Sequence, residues 1–225
     1  MKRKSKNHFL IVSIFFCLGL SVISSFSQEI EENHGLDEKV LNFLTSQRGK
    51  WKDLNVPRAD GKVLYDLIIK NDYKRALEIG TSTGHSATWI AWALSKTGGK
   101  LITIEINETR YRKALANFER AGLSDYIDAR LADAHDLVPQ LEGPFDFVFI
   151  DADKDWYTNY LKLLLPKLEL GGCFTVHNVL NLGYMRGVEE FLDYLRSLSN
   201  METAINRASS SGISISYKRS ISGSY

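Results

Sequence analysis

The chain has 225 residues, 44% of them hydrophobic and 24% charged, with a formal net charge of +1. That composition excludes a disordered or fibrous protein and supports one sizeable core. The near-neutral balance leaves no electrostatic footprint for nucleic acid, so none is expected as a partner.

The N-terminus stands apart. Lys2, Arg3, Lys4 and Lys6 precede a run from Phe9 to Phe26 that is apolar apart from scattered serines. This is the order of an export signal. Ser25-Phe26-Ser27 puts small residues where a signal peptidase reads, which makes residues 1–27 the signal and Gln28 the mature start. The run is also just long enough to remain as an uncleaved anchor. Either way the domain is expected to be exported, periplasmic, secreted or N-terminally anchored, and to meet a membrane only through this segment; a cytoplasmic location is the alternative. Removing the four positive charges of residues 1–27 leaves 24 basic and 27 acidic residues, a net of −3. Cys173 is then the lone cysteine, and its place after Gly171-Gly172 in an apolar run suits a buried structural thiol.

Beyond an acidic stretch from Glu29 to His34, residues 28–225 read as a single domain. Helical spacing appears in Leu36 to Leu44 and Lys62 to Lys70, a helical cap over 36–71 that precedes the first strand at Arg75 to Ile79. Strand-like runs at Lys100 to Ile106, Tyr126 to Leu131, Phe145 to Ile150 and Gly172 to Val176 follow. Helical patterns fall at His85 to Leu94, Glu108 to Ala121, Asp155 to Leu168 and Met185 to Leu198. The alternation predicts an α/β fold with a doubly wound, mostly parallel sheet. Met201 to Arg207 and Gly212 to Lys218, joined by Ala208-Ser-Ser-Ser211, leave no room for a crossover helix and predict an antiparallel hairpin.

In such sheets ligands bind beyond the carboxyl ends of the strands, and the informative residues lie there. The first strand runs through a glycine turn, Glu78-Ile-Gly-Thr-Ser-Thr-Gly-His-Ser86, into a helix. Gly80 and Gly84 let backbone approach a nucleoside-bearing ligand, although a plain structural turn has the same pattern. Glu78 sharpens the reading, because a carboxylate there repels the pyrophosphate of NAD or FAD and attracts a ligand with an ammonium and a sulfonium, S-adenosylmethionine. Glu105, at the end of the second strand, can accept both ribose hydroxyls or cap the next helix. Asp133, within Ala132-Asp133-Ala134, can edge the adenine or simply face solvent. The fourth strand delivers Asp151-Ala-Asp-Lys154, where the bland alternative is a strand-to-helix turn capped by Asp153.

These motifs, with Ile104-Glu-Ile106 and His177-Asn178, occur in order at successive strand ends. Over Asn55 to Lys218 they resemble the cation-dependent class I O-methyltransferases, which include catechol and caffeoyl-CoA O-methyltransferases. The resemblance implies a Rossmann-like, seven-stranded sheet of the class I methyltransferase fold with its last strand antiparallel. It implies cofactor contacts at Val56, Glu78, Ser86, Glu105, Ile106 and Ala134, metal ligands at Asp151 and Asn178, and a catalytic lysine at Lys154. One position departs: His177 stands where most relatives have an aspartate. Imidazole removes a negative charge, so a divalent cation on Asp151, His177 and Asn178 would be softer than magnesium. Without a metal, His177 would be a general base or a hydrogen-bonded strand-end residue.

The expected activity is methyl transfer to a hydroxyl of a small, aromatic, vicinal-oxygen acceptor. A cation on Asp151 and Asn178, with or without His177, would bind one or two adjacent acceptor oxygens and lower the hydroxyl pKa, while Lys154 takes the proton. A non-catalytic S-adenosylmethionine or nucleoside binder is the second reading, and a nicotinamide-dependent oxidoreductase the third. The Asn181 to Gly187 loop and the segment from Ile30 to Asn55 are expected to shape the acceptor pocket, Trp156 and Tyr157 to wall it or pack in the core, and a homodimer stays open.

Overall fold

The structure, a computed structural model, describes residues 34–180 and 186–220. Residues 1–27, expected to be an export signal, and most of the Asn181 to Gly187 loop lie outside the described residues. Among the described residues no helix is long and apolar enough to cross a membrane.

The strands are β1 (Arg75–Ile79), β2 (Lys100–Glu105), β3 (Ile127–Leu131), β4 (Phe145–Ile150), β5 (Leu168–His177), β6 (Met201–Asn206) and β7 (Ile213–Lys218). They form one sheet in the order β3-β2-β1-β4-β5-β7-β6. The first five run parallel, and β7 is antiparallel to both β5 and β6. The helices are α1 (34–46), α2 (Arg58–Asn71), α3 (His85–Thr97), α4 (Glu108–Ala121), α5 (Ala134–Gln140), α6 (Tyr157–Leu164) and α7 (Arg186–Ser197).

Alternation along the central strands builds two cores. In β4, Phe147 and Phe149 pack with α2, α3 and α4 through Ile68, Ile90 and Phe118. Val148 and Ile150 point the other way, to Val138 of α5, Leu161 of α6 and Phe191 of α7. A strand buried on both faces needs the continuous apolar run that Phe145 to Ile150 provides. Cys173 lies inside the first core, and burial pushes its thiol up to about 12, so it serves as a small apolar side chain. Helix α1 adds a smaller cluster in which Val40, Phe43 and Leu44 meet Trp89 and Trp92 of α3.

Three differences from the sequence reading have local causes. Helix α5 occupies what reads as a loop after Asp133, since seven residues containing Pro139 are too few to show a helical period. The helix expected over Asp155 to Leu168 is shorter, with 3₁₀ turns at Lys154–Trp156 and Leu165–Lys167, because Pro166 cannot continue an α-helix. Strand β5 starts at Leu168, four residues early, with Gly171 at φ 80° inside it. The expected C-terminal hairpin forms, and its second strand inserts beside β5. Ile213, Ser214 and Ser216 of β7 are buried, while Glu202, Thr203 and Ala204 make β6 the polar edge, the arrangement that discourages edge-to-edge pairing.

Candidate active site

The glycine turn after β1 is held against the end of β4. Gly80 has φ 100°, and a Cβ there would stand 2.8 Å from the Cβ of Ala152. Gly84 opens α3 at φ 93°, where a Cβ would meet the Phe118 ring at 2.5 Å. Both positions need glycine for conformation and for space. Beneath the turn, Thr103 donates its hydroxyl to Glu78, so its contact with Thr81 is one in which Thr81 donates.

Glu78 is fully buried, and its Oε1 has no hydrogen-bond partner. Burial pushes its carboxyl up to about 7, against the pull of hydrogen bonds from Ser86 and Thr103, and the charges of Asp151 and Glu105 push the same way. A buried carboxylate oxygen without a donor is a vacant acceptor for a cationic ligand group. Glu105 differs: its oxygens accept the backbone N–H groups of Ser82 at 2.7 Å and Asn107 at 2.9 Å. The capping of α4 falls instead to Asn107, which accepts from the Arg110 N–H.

Glu105 lines a cavity of about 190 Å³ together with Gly80, Ile106, Asp133 and Ala134, five of the residues expected to hold a cofactor; Glu78, Gly84 and Ser86 lie outside its lining. Ile106 is 67% exposed, an apolar surface suited to a flat ring. Asp133 also caps α5 by accepting from the His135 N–H at 2.8 Å. His135, Ala152, Asp153 and Tyr160 also line the cavity. His135 stacks on Trp156 with ring centroids 3.7 Å apart and is tied to Asp153 Oδ2 at 2.7 Å. Asp153 thus makes no side-chain cap on the following turn. Val56 is buried outside this lining, its carbonyl 2.8 Å from Nδ1 of His85.

At the far side, Asp151 is fixed by its N–H bond to Ile79 of β1. Its Oδ1 faces Lys154 Nζ at 3.3 Å and His177 Nδ1 at 3.2 Å. The histidine contact is an ion pair without hydrogen-bond alignment. His177 Nε2 meets Asp60 Oδ2 at 2.8 Å, and the Ser209 hydroxyl donates to the same oxygen at 2.6 Å. Asp60 is fully buried in α2. Burial pulls the His177 ring down, but the close carboxylates of Asp151 and Asp60 outweigh it and raise it to about 9. Tyr157 belongs to the core and donates its hydroxyl to the His177 carbonyl. Asn178 follows at φ 63°.

Of the three residues expected to hold a divalent ion, Asp151 and His177 meet here, and Asn178 is next in the chain. His177 Nε2 is engaged by Asp60, whereas its buried Nδ1 has no hydrogen-bond partner and lies 3.2 Å from Asp151 Oδ1; a ring that donates from Nε2 to a carboxylate keeps Nδ1 for a ligand, so a divalent ion would be held by Nδ1 and Asp151. Among the described residues no three His, Cys, Asp or Glu side chains are grouped so as to hold a metal.

The O-methyltransferase family profile matches residues 27–215, most of the chain. The chain belongs to the O-methyltransferase family. It is 39% identical over 134 residues to a catechol O-methyltransferase of Niastella koreensis, covering 58% of this chain and 60% of that protein. Caffeoyl-CoA O-methyltransferase 1 of Eucalyptus globulus is 36% identical over 147 residues, 63% of this chain and 59% of that protein. The chain thus matches about 60% of the length of these relatives. Among solved structures, an O-methyltransferase from Bacillus cereus in complex with SAH superposes with a TM-score of 0.70 at 26% identity, covering 81% of this chain and 91% of that one. TomG of Streptomyces achromogenes, in complex with SAM, gives 0.69 at 27% identity over 81% of this chain and 90% of its own.

Two residues of the site escape the sequence reading. His135 directly follows Asp133-Ala134, and extending that motif by one residue would have included it. Asp60 carries no signal, since Arg58-Ala-Asp-Gly-Lys62 has the composition of a solvated helix start.

Proposed function

We propose that this protein transfers the methyl group of S-adenosylmethionine to a hydroxyl oxygen of a small aromatic acceptor. The observation that carries the reading is Glu78, buried with an unpartnered oxygen in the strand that leads into the glycine turn, directly before Ile79 and Gly80, which line the cavity. The cofactor ammonium supplies the missing donor. Glu105 takes the ribose hydroxyls, and Ile106, Asp133, Ala134 and His135 surround the adenine. This assignment draws support from the family profile and from two structural neighbours whose complexes hold SAH and SAM.

The reaction is an in-line displacement, so catalysis is mainly positioning and proton removal. The acceptor oxygen forms a bond to the methyl carbon as the carbon–sulfur bond breaks, and the hydroxyl proton passes to the Lys154 amine. Asp151, 3.3 Å from Lys154, orients that amine and receives its charge as the proton arrives. The names of the curated relatives, catechol and caffeoyl-CoA O-methyltransferases, support an aromatic ring with neighbouring oxygens as the acceptor class. Formation of S-adenosylhomocysteine from S-adenosylmethionine, followed over a panel of catechol-like and single-hydroxyl phenols, tests the activity. Cofactor binding without product on any acceptor would leave a binding protein in its place. From residues 1–27 alone we also propose export, and fractionation of a tagged full-length chain that finds it wholly cytoplasmic would reject it.

A further inference from the structure

Resting on that reading, we propose that His135 is a positioning residue for Lys154: its ring pins both ends of the turn that carries the lysine, so that a wall of the cofactor cavity also sets where the amine stands. Lys154 opens a three-residue 3₁₀ turn, Lys154–Trp156, that leads into α6. So short a turn is weakly fixed by its own hydrogen bonds. Asp153, just before it, stands at φ 53°, and its carboxylate does not cap the turn. That carboxylate accepts instead from Nε2 of His135, 18 residues back, at 2.7 Å. At the other end Trp156 lies flat on the same ring, with centroids 3.7 Å apart and planes 21° apart. The Trp156 N–H closes the turn by donating to the Asp153 carbonyl at 2.8 Å.

The clip has a firm base. His135 begins α5, where its own N–H donates to Asp133 at 2.8 Å. The middle of the turn is held by α7, since a Cβ at Gly187 would stand 2.5 Å from both the Lys154 carbonyl oxygen and the Asp155 Cα. The lysine side chain has looser holds, with Nζ 3.3 Å from Asp151 and 5.7 Å from the centroid of the Tyr157 ring. Its place therefore follows the backbone beneath it, and a misplacement of about 1 Å costs up to about 100-fold in rate. His135 and Asp153 both line the cofactor cavity, whereas Trp156 lies outside that lining. The two sides of the clip can thus be loosened separately, one with and one without a change in the cavity wall.

The test separates kcat from KM in full-length variants whose folding is checked by thermal melting, with transfer of a radiolabelled methyl group as the signal. His135→Ala should lower kcat about 10-fold at saturating S-adenosylmethionine and acceptor. A ring that only borders the cofactor would raise the KM for S-adenosylmethionine and leave kcat unchanged, and that result overturns the proposal. Trp156→Leu removes the stack from outside the cavity, and it should lower kcat by a similar factor with the KM for S-adenosylmethionine unchanged. An unaltered kcat there also overturns it, and this variant carries the test from a different element if His135→Ala does not fold. The third measurement combines His135→Ala with Lys154→Ala. Since the loss runs through the amine, kcat of the double variant should equal that of Lys154→Ala alone. Losses that multiply would show that His135 acts elsewhere, and the proposal fails. Failure of the methyltransferase reading is visible before any variant is made, as absent cofactor binding or absent product in the unaltered protein.

Discussion

In the proposed reaction Glu78 and Lys154 divide the work of the site, one toward the cofactor and one toward the acceptor. Glu78 is held for its charge in a place that disfavours charge, and only a cationic ligand relieves the conflict. Its carboxyl sits at about 7 in the fold against 4.5 in the unfolded chain. As pH rises from about 4.5 to 7 the unfolded state loses its proton first, so this residue's contribution to stability falls across that window. Cofactor binding works in the opposite direction, because the ammonium favours the ionised form. Affinity for S-adenosylmethionine should rise through pH 7, with a proton released on binding near pH 6.5. Calorimetry in two buffers of different ionisation enthalpy measures that release, and equal heats in both would contradict the assignment. Glu78→Gln should weaken the cofactor by about 10- to 100-fold, the worth of a charge-assisted hydrogen bond. Lys154→Ala should leave that affinity intact and lower kcat by about 10²- to 10⁴-fold, the usual contribution of general base catalysis. Unchanged turnover would remove Lys154 from the mechanism.

At the level of elements, the turn between β1 and α3 and the caps of α4 and α5 place the ligand-facing atoms. Gly80→Ala imposes a side chain at φ 100° against Ala152, so strain of about 1–3 kcal/mol is expected, and the turn must shift away from the end of β4. A lowered melting temperature together with lost cofactor affinity is the predicted outcome. Asn107→Ala is the matched comparison. It removes the side-chain acceptor for the Arg110 N–H at the start of α4 and should cost about 1 kcal/mol with little change in cofactor affinity. Equal affinity losses in the two variants would mean that the turn has no special part in binding. Helix α5 escapes a reading by periodicity because it is short and interrupted by Pro139, yet its cap, Asp133, is visible as a motif. Local chemistry is legible there where the element is not.

For the whole molecule, the strand order matters most. Insertion of β7 beside β5 brings the β6–β7 connection over α2, so that Ser209 and Asp60 meet His177 although they are 149 residues apart in sequence. The resulting pair ties cap helix, sheet and hairpin together. Its ring is raised to about 9 from 6.5, so the stability it contributes is complete below pH 6.5 and is lost as pH rises through about 9. Thermal melts from pH 6 to 10 should show this decline, and His177→Gln should flatten it. An unaltered slope in the variant would place the titration elsewhere.

The sequence by itself determined the alternation of strands and helices, the antiparallel hairpin, and the acids, glycines and lysine at the strand ends. Each of these is written within a few consecutive residues, as an apolar period, a turn or a motif. Only the tertiary structure decided what His177 does. Its neighbours Asp60 and Asp151 come from separate elements, and whether an imidazole binds a metal or an acid depends on which groups the fold sets against its two nitrogens. That is a matter of three-dimensional charge and hydrogen-bond geometry, to which spacing along the chain gives no access.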